Sequence, residues 1–375
     1  MKQLRTGIVG CGKVARLHAQ ALVQSEHSLF TAVCSRDQGK ADAFAGDFGV
    51  RGYDDVTQMV EEARLEAVVV CTPHPFHAEP TLQAAQAGAH VLVEKPLASS
   101  LADADRMIAG TRDAGVRLGT VSQRRFYAPC QRIRAAIDGG KIGSPVLGTV
   151  TMLGWRDRAY YESDAWRGTW QDEGGGVMVN QAPHQLDLLQ WFMGPIDEVF
   201  GCWGNLNHPY IEVEDTAIAV IRFTSGALGN IVVSNSQSPA LYGKVLVMGS
   251  NGAALGVQTD GGAMFIAGMS DIEEPPINDV WTVPGEEERL DAWRQEDEAF
   301  FGRINAVEHY MRVQVDDFLG AVLEDRPPLV TGEEGRKTVE LFTAVYRSQR
   351  DRAPVKFPLQ PENDGGFDGR GSSNR

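Results

Sequence analysis

No stretch of the 375-residue chain approaches the roughly 18 consecutive apolar residues that a membrane-spanning helix needs, so a membrane span is not expected. Cysteine is scarce as well: Cys11, Cys34, Cys71, Cys130 and Cys202 are odd in number, widely spread, and include no C-x-x-C pair. That is the pattern of reduced thiols, not of a disulfide framework. Positive charge is in deficit, with 35 Lys and Arg against 50 Asp and Glu, a net −15, and no long basic run. A nucleic-acid partner is therefore excluded. The N-terminus enters a strand with no apolar leader, and together with the reduced thiols this makes the cytoplasm the expected location. Metal ligands are sparse too. His74 and His77 lie three apart, but Pro73 and Pro75 hold the segment off a helix and no third ligand is near, so no metal is expected.

What is present begins with Gly10-Cys11-Gly12-Lys13-Val14-Ala15, between an apolar run at 4–9 and an amphipathic pattern at 14–23. Gly10 permits a tight turn, Gly12 lets the backbone approach a pyrophosphate, and Ala15 allows close helix–sheet packing, while the helix N-terminus favours the anion. Strand patterns at 30–34, 67–71, 90–93 and 115–122 alternate with helical ones, which predicts a Rossmann doubly wound sheet over residues 1–125. Gly10, Cys11, Gly12, Lys13 and Val14 are its first cofactor candidates. The second strand ends in Ser35-Arg36-Asp37. An acid there would bond the ribose of NAD and an arginine would accept the phosphate of NADP, so Ser35 and Arg36 favour NADP mildly, unless Asp37 turns inward. Thr72, Pro73 and His77 are expected to line the cofactor ribose. Glu94-Lys95-Pro96 closes a later strand, where a doubly wound sheet binds its ligands. Gln123 and Arg124 follow the last strand, Gln123 toward the cofactor and Arg124 toward the substrate.

Beyond Gly139-Gly140 the pattern changes to extended segments joined by turns. Thr216 to Phe223 alternates with a period of two, and Thr224-Ser225-Gly226 turns into the next strand. Residues 126–358 are thus expected to form a C-terminal α+β domain on an open, largely antiparallel sheet, with 359–375 a glycine- and serine-rich flexible tail. The whole is α/β plus α+β. Within the second domain, Gly174-Gly175-Gly176 leads into a segment that, if helical, sets Asn180, His184 and Asp187 on one face. The bland alternative is a helix packed through Leu186, Leu189 and Phe192 with its polar stripe merely wet.

Taken together, the glycine turn, Cys71-Thr72-Pro73, Glu94-Lys95-Pro96 and the Gly174 to Asp187 stretch resemble the Gfo/Idh/MocA family, the glucose-fructose oxidoreductase and inositol dehydrogenase group. Tyr160-Tyr161 and Trp166-Arg167-Gly168-Thr169-Trp170 are similar to members acting on pyranose rings, sugar 3-dehydrogenases among them. The resemblance implies that Lys95 and His184 flank the reacting hydroxyl and that Lys95-Pro96 is a cis bond. The family usually carries an aspartate one turn before the histidine, where this chain has Asn180. An amide takes no proton, so a relay through that position is lost while hydrogen bonding to a sugar hydroxyl survives. Asp187 is left to orient or charge His184.

Hydride transfer from a secondary alcohol needs a base and a cation beside the developing alkoxide. Lys95 can supply both, with His184 as the second proton carrier. Trp166 and Arg167 are placed against nicotinamide or sugar. Tyr160, Tyr161, Asn180 and His309 are further substrate candidates, since aromatic faces stack on sugar rings and amides bond hydroxyls. His309 has the equal alternative of an exposed helix face. The expected activity is an NAD(P)-dependent oxidoreductase acting on a sugar, glycoside or cyclitol hydroxyl. A redox-assisted glycosidase or sugar 3-oxidase that retains its cofactor, and a dinucleotide-binding regulator without turnover, are the alternatives. The sheet of the second domain suits a homodimer or homotetramer.

Overall fold

Leu4–Val9 (β1) is buried along almost its whole length, as a strand covered on both faces must be. The computed structural model describes residues 2–260 and 265–362. In chain order β1 is followed by α1 (Lys13–Gln24), β2 (Ser28–Cys34), α2 (Gln38–Phe48), β3 (Arg51–Tyr53), α3 (Val56–Ala63), β4 (Ala67–Val70), α4 (Ala78–Gln86), β5 (His90–Val93), α5 (Leu101–Asp113) and β6 (Leu118–Thr120). The six strands form one sheet in the order β3-β2-β1-β4-β5-β6, and every pair is parallel. This is the expected doubly wound sheet, with β3 added to the strands legible in sequence. Side chains start its helices: Asp37 accepts the Lys40 N–H at α2, Asp55 the Gln58 N–H at α3, and Ser100 the Asp103 N–H at α5. The strand order reverses between β1 and its neighbours β2 and β4, which puts the ligand crevice beyond their carboxyl ends.

The second unit contains α6 (Ala128–Asp138), β7 (Pro145–Leu153), the short α7 (Arg158–Glu162), α8 (Pro183–Met193), β8 (Ile196–Gly204), β9 (Thr216–Phe223), β10 (Leu228–Ser234), β11 (Tyr242–Gly249), β12 (Ala254–Asp260), β13 (Ile277–Trp281) and α9 (Arg289–Phe301). Its eight-stranded sheet runs β13-β12-β11-β7-β10-β9-β8 and ends on β14 (Val355–Lys356). Only β7 and β10 pair in parallel, so the open, largely antiparallel sheet is as expected. Alternation along β9 buries Ala217, Ala219, Ile221 and Phe223 and leaves Ile218 and Val220 more than half exposed. The sheet therefore has one packed face and one open apolar one, with α8 on the packed side against β7 and β11.

Two helices, α10 (Ala306–Leu323) and α11 (Gly332–Asp351), follow α9. The chain divides into residues 1–123 with 307–339, and 124–306 with the segment from Glu340. Residues 307–339, placed in the second domain by sequence, thus pack with the first. The physical reason is the parallel sheet's need for cover on both faces: Met311, Val315, Phe318 and Leu319 join Leu4, Ile8, Leu22 and Leu92 in one core. Gly119 in β6 makes room for Phe318, whose ring carbon would lie 2.8 Å from a Cβ there. The first residues of the expected tail, 359–362, are held in place. Leu359 is buried and donates to Glu340, and Glu362 pairs with Arg350; residues 363–375 lie outside the described ones. Among the described residues, no helix is long and apolar enough to cross a membrane.

Candidate functional site

The turn between β1 and α1 is built as the glycine spacing requires. Gly10 has φ +108, and a Cβ on it would come within 2.8 Å of the Cys71 carbonyl, so only glycine lets β1 and β4 end this close together. Gly12 caps α1 with no side-chain hydrogen bond, and among the described residues a Cβ there would meet nothing within 4 Å. Open space at Gly12 and uncapped amides in the first turn of α1 form the donor set that a pyrophosphate fits. Lys13 and Val14 open the helix itself. Cys11 is half-buried beside Ser35, and burial pushes its thiol up, which keeps it a neutral wall atom. At the end of β2, exposed Arg36 lies over the ring of Phe76, 5.5 Å from its centroid. Asp37 is committed to capping α2.

Glu94 and Lys95 follow β5. Glu94 is buried, with one carboxylate oxygen 2.8 Å from Nε2 of His18 on α1 and the other accepting the Lys95 backbone N–H at 2.9 Å. Burial works to raise its pKa, but the His18 bond and charge and the adjacent Lys95 outweigh it and hold the carboxyl below its usual range. Glu94 is thus an anchor for the Lys95 backbone. The Lys95–Pro96 bond is cis. His77, expected at the ribose, is fully buried: Nε2 lies 2.8 Å from the Thr72 carbonyl, and Nδ1 about equally far from those of Pro96 and Leu97 (3.1 and 3.2 Å). It lies between the loop after β4 and the loop carrying Lys95, and its single N–H when neutral donates to the carbonyls on one side only. Its pKa is lowered, burial outweighing those three carbonyls. Thr72 spends its hydroxyl on the Phe76 carbonyl, while Pro73 leads the same loop. Gln123, beyond β6, keeps its Oε1 buried without a partner among the described residues, an acceptor suited to an amide-bearing ligand.

In the second unit Gly175 and Gly176 are steric necessities. A Cβ on Gly176 would lie 1.8 Å from the Glu214 carbonyl oxygen, and one on Gly175 would strike Val179 and the Tyr346 hydroxyl. Buried Glu214 accepts the N–H groups of Gly176 (2.9 Å) and Met178 (3.0 Å) and the Tyr346 hydroxyl (2.8 Å), capping the turn that follows. Here the structure corrects the single-helix expectation. Residues Val177–Gln181 form a wide π-type turn, and α8 begins only at Pro183, which has no N–H to continue the earlier ladder. Asn180 therefore sits on the wide turn, whereas His184 and Asp187 share α8. Asp187 is held by a fork from Arg125, at 2.8 Å from Nε and 2.6 Å from Nη2.

Around Asn180 lies a buried polar cluster that sequence did not suggest. Its Nδ2 donates to Glu173 and, at 3.0 Å, to the Tyr160 hydroxyl; Gln181 Nε2 reaches the same hydroxyl at 2.9 Å. Arg167 stacks over the rings of Tyr160 and Trp166, 4.2 and 4.4 Å from their centroids. Glu173 is 1% exposed and also accepts the Gly168 N–H. Its carboxyl is pushed up to about 7 by burial, against the lowering by Gly168, Asn180 and Arg167. The signal for Glu173 was only a lone acid before three glycines. Tyr160 and Tyr161 are buried, packed edge to face, and so form the wall of this cluster instead of an open stacking platform. Arg124 likewise is spent on Asp260 and Thr259, in a buried fork shared with Gln185. His309 lies half-buried on α10 of the first unit, with burial lowering its pKa.

A parallel sheet with its order reversed at a glycine turn, followed by an α+β unit, defines a dinucleotide-binding oxidoreductase. Residues 4–121 match the GFO/IDH/MocA oxidoreductase family, NAD-binding Rossmann fold, and residues 130–255 match the C-terminal domain of the same family. The chain belongs to the Gfo/Idh/MocA family. It is 29% identical over 362 residues to a myo-inositol 2-dehydrogenase of Thermotoga maritima, covering 94% of this chain and 98% of that one. An inositol 2-dehydrogenase of Rhizobium meliloti is 27% identical, with 94% and 99% covered. Among solved structures, the WlbA dehydrogenase from Bordetella pertussis in complex with NADH and UDP-GlcNAcA is 30% identical, with TM-score 0.84 and 96% and 99% covered.

Proposed function

We propose that the protein is a dehydrogenase moving hydride between NAD(P) and a secondary hydroxyl of a sugar, glycoside or cyclitol, with Lys95 as acid/base and His184 as its partner. The observation that carries this is the seat of Lys95: its backbone is fixed by the buried Glu94–His18 pair at the carboxyl end of β5, the strand next to β4 and one removed from the strand-order reversal. A bound nicotinamide supplies the carbon that takes or gives hydride. Gly10 to Val14 hold the pyrophosphate, Arg36 the adenosine end, and Gln123 an amide. With Asp37 spent on α2, Ser35 and Arg36 favour NADP. Lys95 takes the hydroxyl proton and faces the developing alkoxide with positive charge, and His184 is the second proton carrier. The inositol dehydrogenases and the UDP-GlcNAcA-bound relative support the substrate class. The enzyme acts in the cytoplasm.

The test is a screen of free sugars, inositols, glycosides and UDP-GlcNAcA with NAD and NADP, read by nicotinamide absorbance. Lys95→Ala is expected to lower kcat about 10³-fold while dinucleotide affinity stays within about threefold. Full activity in that variant overturns the assignment. Free sugar released without net cofactor change would instead identify a redox-assisted glycosidase.

A further inference from the structure

The turns after β2 and β4 emerge on either side of the glycine turn, because β1 lies between these two strands and pairs with both in parallel. One turn carries Arg36 and the other Phe76. The second is held by its own backbone: the Phe76 N–H donates to the Pro73 carbonyl at 2.9 Å, and the Phe76 carbonyl accepts the Thr72 hydroxyl at 2.9 Å. A ring 41% exposed is thereby presented at the carboxyl end of the sheet, with the guanidinium carbon of Arg36 lying 5.5 Å from its centroid. This contact stands where other arginines of the unit have an ion pair. Arg16 pairs with Asp47 and Arg51 with Glu62, whereas Arg36 meets no carboxylate among the described residues. Its neighbour Asp37 is spent on the Lys40 N–H at the start of α2. An aromatic face attracts a guanidinium without consuming its N–H groups, which stay available to two oxygens of a phosphate.

We infer that Phe76 is a specificity-determining residue for the cofactor: its ring holds Arg36 beyond the end of β2, where Arg36 binds the 2′-phosphate that distinguishes NADP from NAD. The inference rests on the dinucleotide site proposed above and names what makes that site prefer the phosphorylated form. An arginine free in water loses side-chain freedom when it clamps an anion, and a ring that already restricts it reduces that loss. NAD has a hydroxyl in place of the phosphate, so its affinity is indifferent to the hold on Arg36. Phe76 thus sets the ratio of the two affinities and leaves the binding common to both unchanged.

Titration calorimetry on the full chain with NADP, NAD, adenosine 2′,5′-bisphosphate and 5′-AMP tests this without substrate or turnover. Arg36→Ala is expected to weaken NADP and the bisphosphate about tenfold, the loss of a charged hydrogen-bonding partner, and to leave NAD and 5′-AMP within about twofold. Phe76→Ala is expected to weaken the same two ligands about fivefold, the worth of an exposed cation–π contact. Phe76→Trp keeps an aromatic face and should keep wild-type selectivity. In a chain already carrying Arg36→Ala, Phe76→Ala should cost nothing further, because the ring acts only through the guanidinium. Both side chains are exposed, so every variant is expected to unfold within a few degrees of wild type. Equal weakening of NADP and NAD by Phe76→Ala, no weakening of either, or a further loss on top of Arg36→Ala overturns the inference. If neither dinucleotide binds the wild-type chain, the cofactor reading falls and the inference with it. If both bind and no hydroxyl compound turns over, the dehydrogenase reading falls alone, and the affinity ratios still decide the role of Phe76.

Discussion

Side chains in this protein do one job well when a second side chain removes their other options. Glu94 spends one oxygen on His18 and the other on the Lys95 backbone, and Asp187 spends both on Arg125. Glu173 is the costly member of the set, because burial raises its pKa to about 7 from the 4.5 of a free glutamate. Below pH 4.5 it is protonated whether the chain is folded or not. Between about 4.5 and 7 the unfolded chain gives up this proton while the folded one keeps it, so stability falls as pH rises through that window and is flat above it. The expected loss is about 3 kcal/mol. Urea unfolding at pH 5 and pH 8 should show a wild-type loss that Glu173→Gln lacks. Equal losses in the two proteins would show that Glu173 titrates as an ordinary exposed acid.

At the scale of elements, two glycines that each lead into a helical turn do opposite things. Gly176 touches the protein, whereas the space beside Gly12 is open. A methyl group on Gly176 would lie 1.8 Å from the Glu214 carbonyl, so Gly176→Ala is expected to cost about 3 kcal/mol or to leave little folded protein. Gly12→Ala should leave the unfolding midpoint within a few degrees, since its Cβ meets nothing within 4 Å among the described residues. It should instead weaken dinucleotide binding at least about tenfold, by filling the space a pyrophosphate uses. Calorimetry of unfolding and of NADP binding on both variants separates the two effects. Undiminished binding by Gly12→Ala would place the cofactor elsewhere. The turn Val177–Gln181 shows the limit of periodicity, since Pro183 interrupts the ladder and the residues before it wind more widely than a helical pattern implies.

For the whole molecule, the open face of the eight-stranded sheet poses a solubility problem. Phe200 on β8, Ile218 and Val220 on β9, and Leu228 on β10 are all more than 40% exposed. A second copy of the chain is the cover we propose, giving a homodimer or homotetramer through this sheet. Ile218→Asp with Val220→Asp should reduce the mass seen by analytical ultracentrifugation to that of one chain, with far-ultraviolet dichroism unchanged. A wild-type protein that already sediments as one chain would dismiss the proposal.

Sequence alone determined the parts that depend on neighbours in the chain. The period of two in β9, the alternating strands and helices before residue 125, and the glycine turn at Gly10 to Ala15 are short-range patterns, and each element formed where its pattern lies. Glu94-Lys95-Pro96 was legible for the same reason, since a strand end is a local event. What needs partners far along the chain was decided only by tertiary structure. Helix α10 packs with the first sheet because Phe318 finds Gly119 about 200 residues away. His77 and Arg124, read as ligand contacts, are consumed by the Pro96 and Leu97 carbonyls and by Asp260. Glu173 changes character because the fold buries it against Asn180, and burial turns an unremarkable acid into a group that titrates near neutrality. Residue identity set which chemistry was available; desolvation and long-range contact decided which of those residues were left to use it.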